Sequence, residues 1–286
     1  MRRSIAALLF ATTLVVGDVA AATPAGAADS PVAAAPKPPP LEVFGQLPSL
    51  EHVAVSPEGG RIAFVQQAAD DRYLTVHSLA DRRTLLAFRV GDVKLRSLEW
   101  VDDDKLLLTT SATSVVMGLS GPRREWFAVQ VCDLTRQACR RISLEVRGTT
   151  TMNVVWGRQS VRRIDGRAVL FVNGLHVTHL TLPALFRIDL DTLQARAVVK
   201  GDVDSEGWIV GEDGEVLAAL RYLGDDRRWR VLARRDGRLE EVAAGESPIA
   251  IPRLGGLRAD GRSVVVALPE GGNPVWNQLD LRTGAW

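Results

Sequence analysis

Pro57-Glu58-Gly59-Gly60, followed by Arg61-Ile62-Ala63-Phe64-Val65, is the stretch that decides the fold. The first four residues make a corner: Gly accepts a positive φ, and an acidic side chain bonds back to its own backbone. The next five form a strand-sized run, too short and too continuously apolar for an amphipathic helix. The same unit recurs as Asp165-Gly166 before RAVLFV, Asp213-Gly214 before EVLAAL and Asp260-Gly261 before RSVVVAL. Val101-Asp102-Asp103-Asp104 before KLLLTT holds the same place without a Gly.

A second kind of corner follows a later strand: Asp133-Leu134-Thr135, Asp189-Leu190-Asp191-Thr192 and Asp280-Leu281-Arg282-Thr283-Gly284, with Ser78-Leu79-Ala80-Asp81 a weaker relative. The two kinds alternate, and corners of the first kind recur at intervals of roughly 45 to 60 residues, the repeat of a four-stranded blade. The fold expected is all-β, a β-propeller with about five blades at residues 50–92, 94–146, 152–200, 204–245 and 249–286. A sandwich of this length would need about 20 strands, with no reason for ordered turn types. Continuous runs such as Ile62 to Val65, Leu106 to Leu108 and Val264 to Leu268 fit strands covered on both faces. The segment RRWRVLARR around Trp229 reads as a polar outer strand. The last unit stops at Trp286 directly after its Asp280 corner, so the sequence reads as a fragment of a longer protein or a truncated gene product.

Arg2 and Arg3 precede an apolar run from Ile5 to Gly17 and then Ala-rich sites near residues 22 and 27, the pattern of a secretory signal peptide over residues 1–27. The run is too short to span a bilayer. Removing this segment takes Lys+Arg from 35 to 33 and Asp+Glu from 34 to 33. Residues 28–40, ADSPVAAAPKPPP, read as an extended tether, and the folded domain is expected over 41–286. The protein is thus expected to be periplasmic or secreted. Basic residues are scattered, so nucleic acid is not an expected partner.

Candidate chemistry is sparse. Gly118-Leu119-Ser120-Gly121 is one residue short of the G-x-S-x-G turn that presents a nucleophilic serine. Cys132 and Cys139 bracket a turn and can face each other on a hairpin, inside disulfide range. An exported pair would close; reduced or misregistered thiols are the alternative, and a metal site lacks further ligands. His176 and His179, three apart, point to opposite faces of a strand or sit in a loop. Asp202-Val203-Asp204-Ser205-Glu206-Gly207 loosely matches a calcium loop, with Glu206 at the fifth position and Asp213 at the twelfth, but reads better as an acidic turn at a blade junction. The seven tryptophans, Trp100, Trp126, Trp156, Trp208, Trp229, Trp276 and Trp286, suggest blade-to-blade packing, a ligand platform being the lesser reading. No catalytic, cofactor or metal residue is assigned.

Val53-Ala54-Val55-Ser56-Pro57-Glu58-Gly59-Gly60-Arg61-Ile62-Ala63-Phe64 resembles the S-P-D-G-x-x-I-A-F repeat of TolB-type propellers and of the propeller domains of the prolyl oligopeptidase family. Phe44-Gly45-Gln46-Leu47-Pro48 and Leu98-Glu99-Trp100-Val101-Asp102-Asp103-Asp104-Lys105-Leu106-Leu107 are more similar to its exported acylaminoacyl-peptidase or dipeptidyl-aminopeptidase branch. The resemblance covers residues 41–286. It implies a propeller, usually of seven blades, that covers an α/β-hydrolase domain and filters the peptides reaching its Ser-Asp-His triad. That domain follows the propeller in the family and corresponds to nothing here, so no catalytic residue carries over. The leading expectation is a non-catalytic propeller portion acting as lid or filter, with a hydrolase domain and peptides as partners. The alternative is a stand-alone periplasmic TolB-like propeller that binds a protein or ligand.

Overall fold

A computed structural model describes residues 38–45, 49–68, 71–115 and 123–286. The expected signal peptide and most of the tether lie outside these residues, as does Ser120. The chain divides into two units between Gln46 and Leu47. The described part of the first holds a short 3-10 turn, Leu41–Gly45. No described helix is long and apolar enough to cross a membrane.

The second unit is built of antiparallel strands. The first meander is β1 (Leu50–Val55), β2 (Arg61–Ala68), β3 (Asp71–Ser78) and β4 (Thr84–Arg89). The second is β5 (Lys94–Trp100), β6 (Lys105–Ser114), β7 (Arg124–Asp133) and β8 (Ala138–Arg141), and the third is β9 (Thr150–Ile164), β10 (Arg167–Val177), β11 (Thr181–Asp189) and β12 (Ala195–Lys200). A fourth follows as β13 (Ser205–Val210), β14 (Val216–Leu223), β15 (Arg228–Arg235) and β16 (Arg238–Glu246). The last has three strands, β17 (Arg253–Leu257), β18 (Ser263–Glu270) and β19 (Asn273–Asp280). Corners of the first kind join first to second strands throughout. The acidic corners of the second kind join third to fourth strands or, at Asp280, follow β19. Asp165 and Gly166 both take positive φ, 51° and 75°, as a tight two-residue hairpin demands.

The expectation of separate blades meets one departure. The second and third meanders are continuous in a single sheet, because Phe127 of β7 pairs with Val155 of β9. The reason is length: β8 has four residues and covers only Gln130–Asp133 of β7, while β9 runs for fifteen and reaches the uncovered part of that edge.

The core lies between meanders. In β6, Leu106 and Leu108 join Leu74, Val76 and Ala63 of the first meander, whereas Leu107 between them joins Leu170, Phe186 and Ile188 of the third. In β10, Ala168, Leu170 and Val172 face the second meander's residues, and Val169 and Phe171 join Trp208, Val210 and Val216 of the fourth. In β14, Ala219 falls with Phe171, and Ala218 and Leu220 with Val264 and Val266 of the fifth. Alternate side chains of one strand thus serve two cores, so the run carries no polar position. The expectation for RRWRVLARR needs correction: β15 alternates, with Trp229, Val231 and Ala233 buried, and the mostly exposed strand is β16. A third strand still packs one face on its neighbour, whereas the fourth forms the rim.

Polar ties join the meanders at their corners. Arg61 bonds the Asp103 carbonyl and the Asp104 carboxylate. Arg136 donates to the Asp191 carbonyl at 3.0 Å, Arg162 to those of Val210 and Gly211 at 2.9 and 3.0 Å, and Arg235 to that of Arg282 at 2.8 Å. Within the corners, Asp133 accepts from the Thr135 and Arg136 N–H groups, Asp189 from those of Asp191 and Thr192, and Asp280 from those of Arg282 and Thr283. Asp260 accepts from the N–H groups of Arg262 and Ser263. The Arg262 N–H, then the Ser263 hydroxyl and N–H, hold the Asp260 carboxyl down at about 2.

A carboxyl held below its ordinary value stabilises the fold while ionised. That contribution is complete above the unfolded value of 3.8 and is lost as pH falls toward 2. The denaturant midpoint is therefore expected to be level from pH 7 to about 5 and to drop between about pH 4 and 2, less steeply in Asp260→Ala; a midpoint unchanged down to pH 2.5 contradicts this. Asp189→Ala is expected to cost about 1–2 kcal/mol, since it orphans two backbone donors.

Candidate axial cavity

Each meander's first strand carries a bulge. In β1 residues 52 and 53 stand against one residue of β2; Arg96 is the extra residue of β5, Glu206 of β13 and Gly255 of β17; and residues 157–159 bow out of β9 opposite Val172. A bulge bends its strand and re-aims a side chain. Those of β9, β13 and β17 border one open cavity of about 1160 Å³, lined also by parts of β5, β10 and β19.

Trp100, Trp156, Trp208 and Trp276 line this cavity. Trp100 is fixed by its Nε1–H, which donates to the Ala54 carbonyl at 3.1 Å and links β5 to β1. Trp276 is 58% exposed, and its ring lies so close to Gly255 that a Cβ there would meet it at 2.7 Å. The lining also carries Gln159, Asn173 and Glu206. Gln159 accepts from the Thr109 hydroxyl at 3.1 Å. Asn173 is 8% exposed, and its Oδ1 is buried with no partner among the described residues. Its Nδ2 lies where a Cβ on Gly157 would come within 3.2 Å; Gly157 has φ +67°, so only glycine suits this part of the bulge. Burial pushes the Glu206 carboxyl above its ordinary value, and among the described residues no ion pair pulls it down.

The other sequence candidates fall elsewhere. Cys132 and Cys139 face each other across β7 and β8, with Cα atoms 3.9 Å apart. His176 is buried in β10 with Nε2 3.4 Å from the Gly201 carbonyl, and His179 lies in the turn beyond, so the two do not meet. Asp202 caps the corner before β13, accepting from the Asp204 N–H and the Ser205 hydroxyl, and pairs with Arg221. Among the described residues no group of three or more His, Cys, Asp or Glu could hold a metal. The tryptophan reading divides: Trp229 packs edge-on to Trp286 at 6.1 Å, as blade packing requires, while four others surround the cavity.

No family model matches the chain, and no curated protein does. Similar solved structures include TolB from Acinetobacter baumannii, at 14% identity and a TM-score of 0.43, and an acylaminoacyl peptidase from Pyrococcus horikoshii, at 14% and 0.44. Each match covers 82% of this chain. The chain spans 52% of the TolB chain and 38% of the peptidase. Hydrazine synthase of Kuenenia stuttgartiensis matches over 79% of this chain and 70% of its own, at 11% identity and a TM-score of 0.41. The propeller-like architecture stands on this chain's own strand order and on cores shared between neighbours.

Burial disfavours the charged form of Glu206, so its ionised form opposes folding. Its raised value means stability is greatest below that value and is lost as pH rises through it. Glu206→Gln is therefore expected to melt at or above the wild-type temperature at pH 7, with the advantage vanishing near pH 4. A lower melting temperature at pH 7 would show that the carboxylate has a stabilising partner.

Proposed function

We propose that this chain is the non-catalytic β-propeller portion of an exported prolyl-oligopeptidase-like serine peptidase, its first strands bordering an axial passage that filters peptides bound for a hydrolase domain. The observation supporting this is the cavity itself, bordered by first strands of successive meanders, as expected of a passage along a propeller axis. Its volume of about 1160 Å³ suits an extended chain better than a drug-sized molecule, which needs roughly 300–1,000 Å³. About five blades belong to this reading, as do residues 1–27 as an export leader, residues 28–40 as a tether and a periplasmic or secreted location.

A stand-alone exported propeller that retains a ligand is the second reading. Asn173 and Glu206 favour it, because a passage needs only width, whereas the buried Asn173 Oδ1, without a partner among the described residues, and the half-buried Glu206 carboxyl can accept from a ligand's donors. The reading frame beyond codon 286 separates the two. Under the first it encodes a G-x-S-x-G segment followed by Asp and then His; a stop codon there, with a folded secreted product, contradicts the first and favours the second.

Export also bears on the two cysteines. We propose that Cys132 and Cys139 form a disulfide in the mature protein, as an oxidising compartment permits. Thiol alkylation of the unreduced denatured protein is expected to label neither residue. Replacing both by Ser is expected to cost about 2 kcal/mol, the chain-entropy value for so short a loop. Full labelling without reductant would contradict this pairing.

A further inference from the structure

The cavity wall is specific in a way that a passage does not require. The lining carries three carboxylates, Glu99, Glu206 and Glu212, and three guanidiniums, Arg162, Arg253 and Arg258. Arg162 is moreover engaged by three backbone carbonyls and by Glu212 at 3.6 Å. With three formal charges of each sign, the wall carries no excess of one sign to favour an anion or a cation. An entirely apolar ligand would leave Glu206 and the Asn173 amide desolvated and unpaired, which costs free energy. The complement of this wall is therefore uncharged and rich in hydrogen-bond donors, with flat apolar faces to lie on indoles.

We propose that the cavity is a carbohydrate-binding site, in which Trp100 and Trp156 receive the C–H faces of pyranose rings and Glu206 and Asn173 bond their hydroxyls. The bulges are what make this arrangement available. Glu206 is the unpaired extra residue of β13, between Ser205 and Gly207 in register, and residues 157–159 bow outward beside Asn173. Neighbouring hydroxyls on one ring match a planar carboxylate, which accepts two hydrogen bonds, and a planar amide, which accepts and donates. Trp276, more than half exposed and resting on Gly255, extends the aromatic surface toward solvent. The proposal rests on the second reading above, a cavity that retains its ligand.

Intrinsic tryptophan emission of the mature protein, titrated separately with maltohexaose, cellohexaose, chitohexaose, a proline-rich decapeptide and spermidine, tests this. At least one hexasaccharide is expected to change the emission saturably. Trp156→Ala and Asn173→Ala are each expected to weaken that binding by about tenfold or more. Glu206→Gln is expected to weaken it less than Glu206→Leu, because an amide still bonds hydroxyls. Glu206→Gln changes a partly exposed side chain and reports even where Asn173→Ala fails to fold. Binding of the decapeptide alone would overturn the carbohydrate proposal while leaving the filter reading standing. Binding of spermidine alone, abolished in Glu206→Gln, would overturn it in favour of a cation site. Silence from all five ligands would overturn the carbohydrate proposal and remove the support for a retained ligand.

Discussion

The structure depends on strands buried on both faces by other strands of the same chain. A single four-stranded meander has two faces to hide and no helix to cover either. The second strand of each central meander, β6, β10 or β14, solves this by dividing its side chains between two neighbours, as Leu107 and Leu108 do. Each fully buried Leu or Phe contributes about 1.5–3 kcal/mol relative to exposure, so a chain of such shared cores outweighs any single contact elsewhere. Sharing also fixes order, because a meander placed out of sequence would meet the wrong partner on both sides.

The polar ties refine what burial establishes. Arg61, Arg136, Arg162 and Arg235 each reach a backbone carbonyl of the following meander near a corner. Taken singly these bonds are modest, and the exposed ion pairs beside them add little. All four run from one meander to the next, and the first strands β5, β9, β13 and β17 converge on one cavity. The cavity follows from this convergence. Its bulges, the indoles of Trp100, Trp156 and Trp208, the Asn173 amide and the Glu206 carboxyl all belong to first strands or their immediate partner β10.

The repeat was legible because it is written in local chemistry. Asp-Gly corners and Asp-x-x-Thr corners act through their own neighbouring backbone, so Asp165-Gly166 and Asp189 identify themselves without knowledge of any distant residue. The continuous runs of β6 and β18 were legible for the same reason. The cavity was not. A bulge arises from two strands being matched in register, so nothing near Glu206 marks it as the extra residue; its acidic neighbours point instead toward a turn. Asn173 lies inside an apolar run, and a lone amide there gives no sign of facing a void. The tryptophans were visible, but which of them pack and which line a cavity depends on how first strands converge. The alternation of β15 was read as uniform polarity because its arginines outnumber its buried positions, and the link from β7 to β9 depends on the shortness of β8, which no local signal announces.

Site and scaffold are therefore coupled: whatever loosens the shared cores separates the first strands and opens the cavity wall. Native-state hydrogen exchange resolved by residue tests the coupling at its root. If alternate side chains of β6, β10 and β14 are held by two neighbours, their ladder amides exchange only through global unfolding, while those of the rim strand β16 exchange through local opening and much faster. Amides of β10 exchanging as fast as those of β16 would contradict the two-faced burial on which the architecture stands.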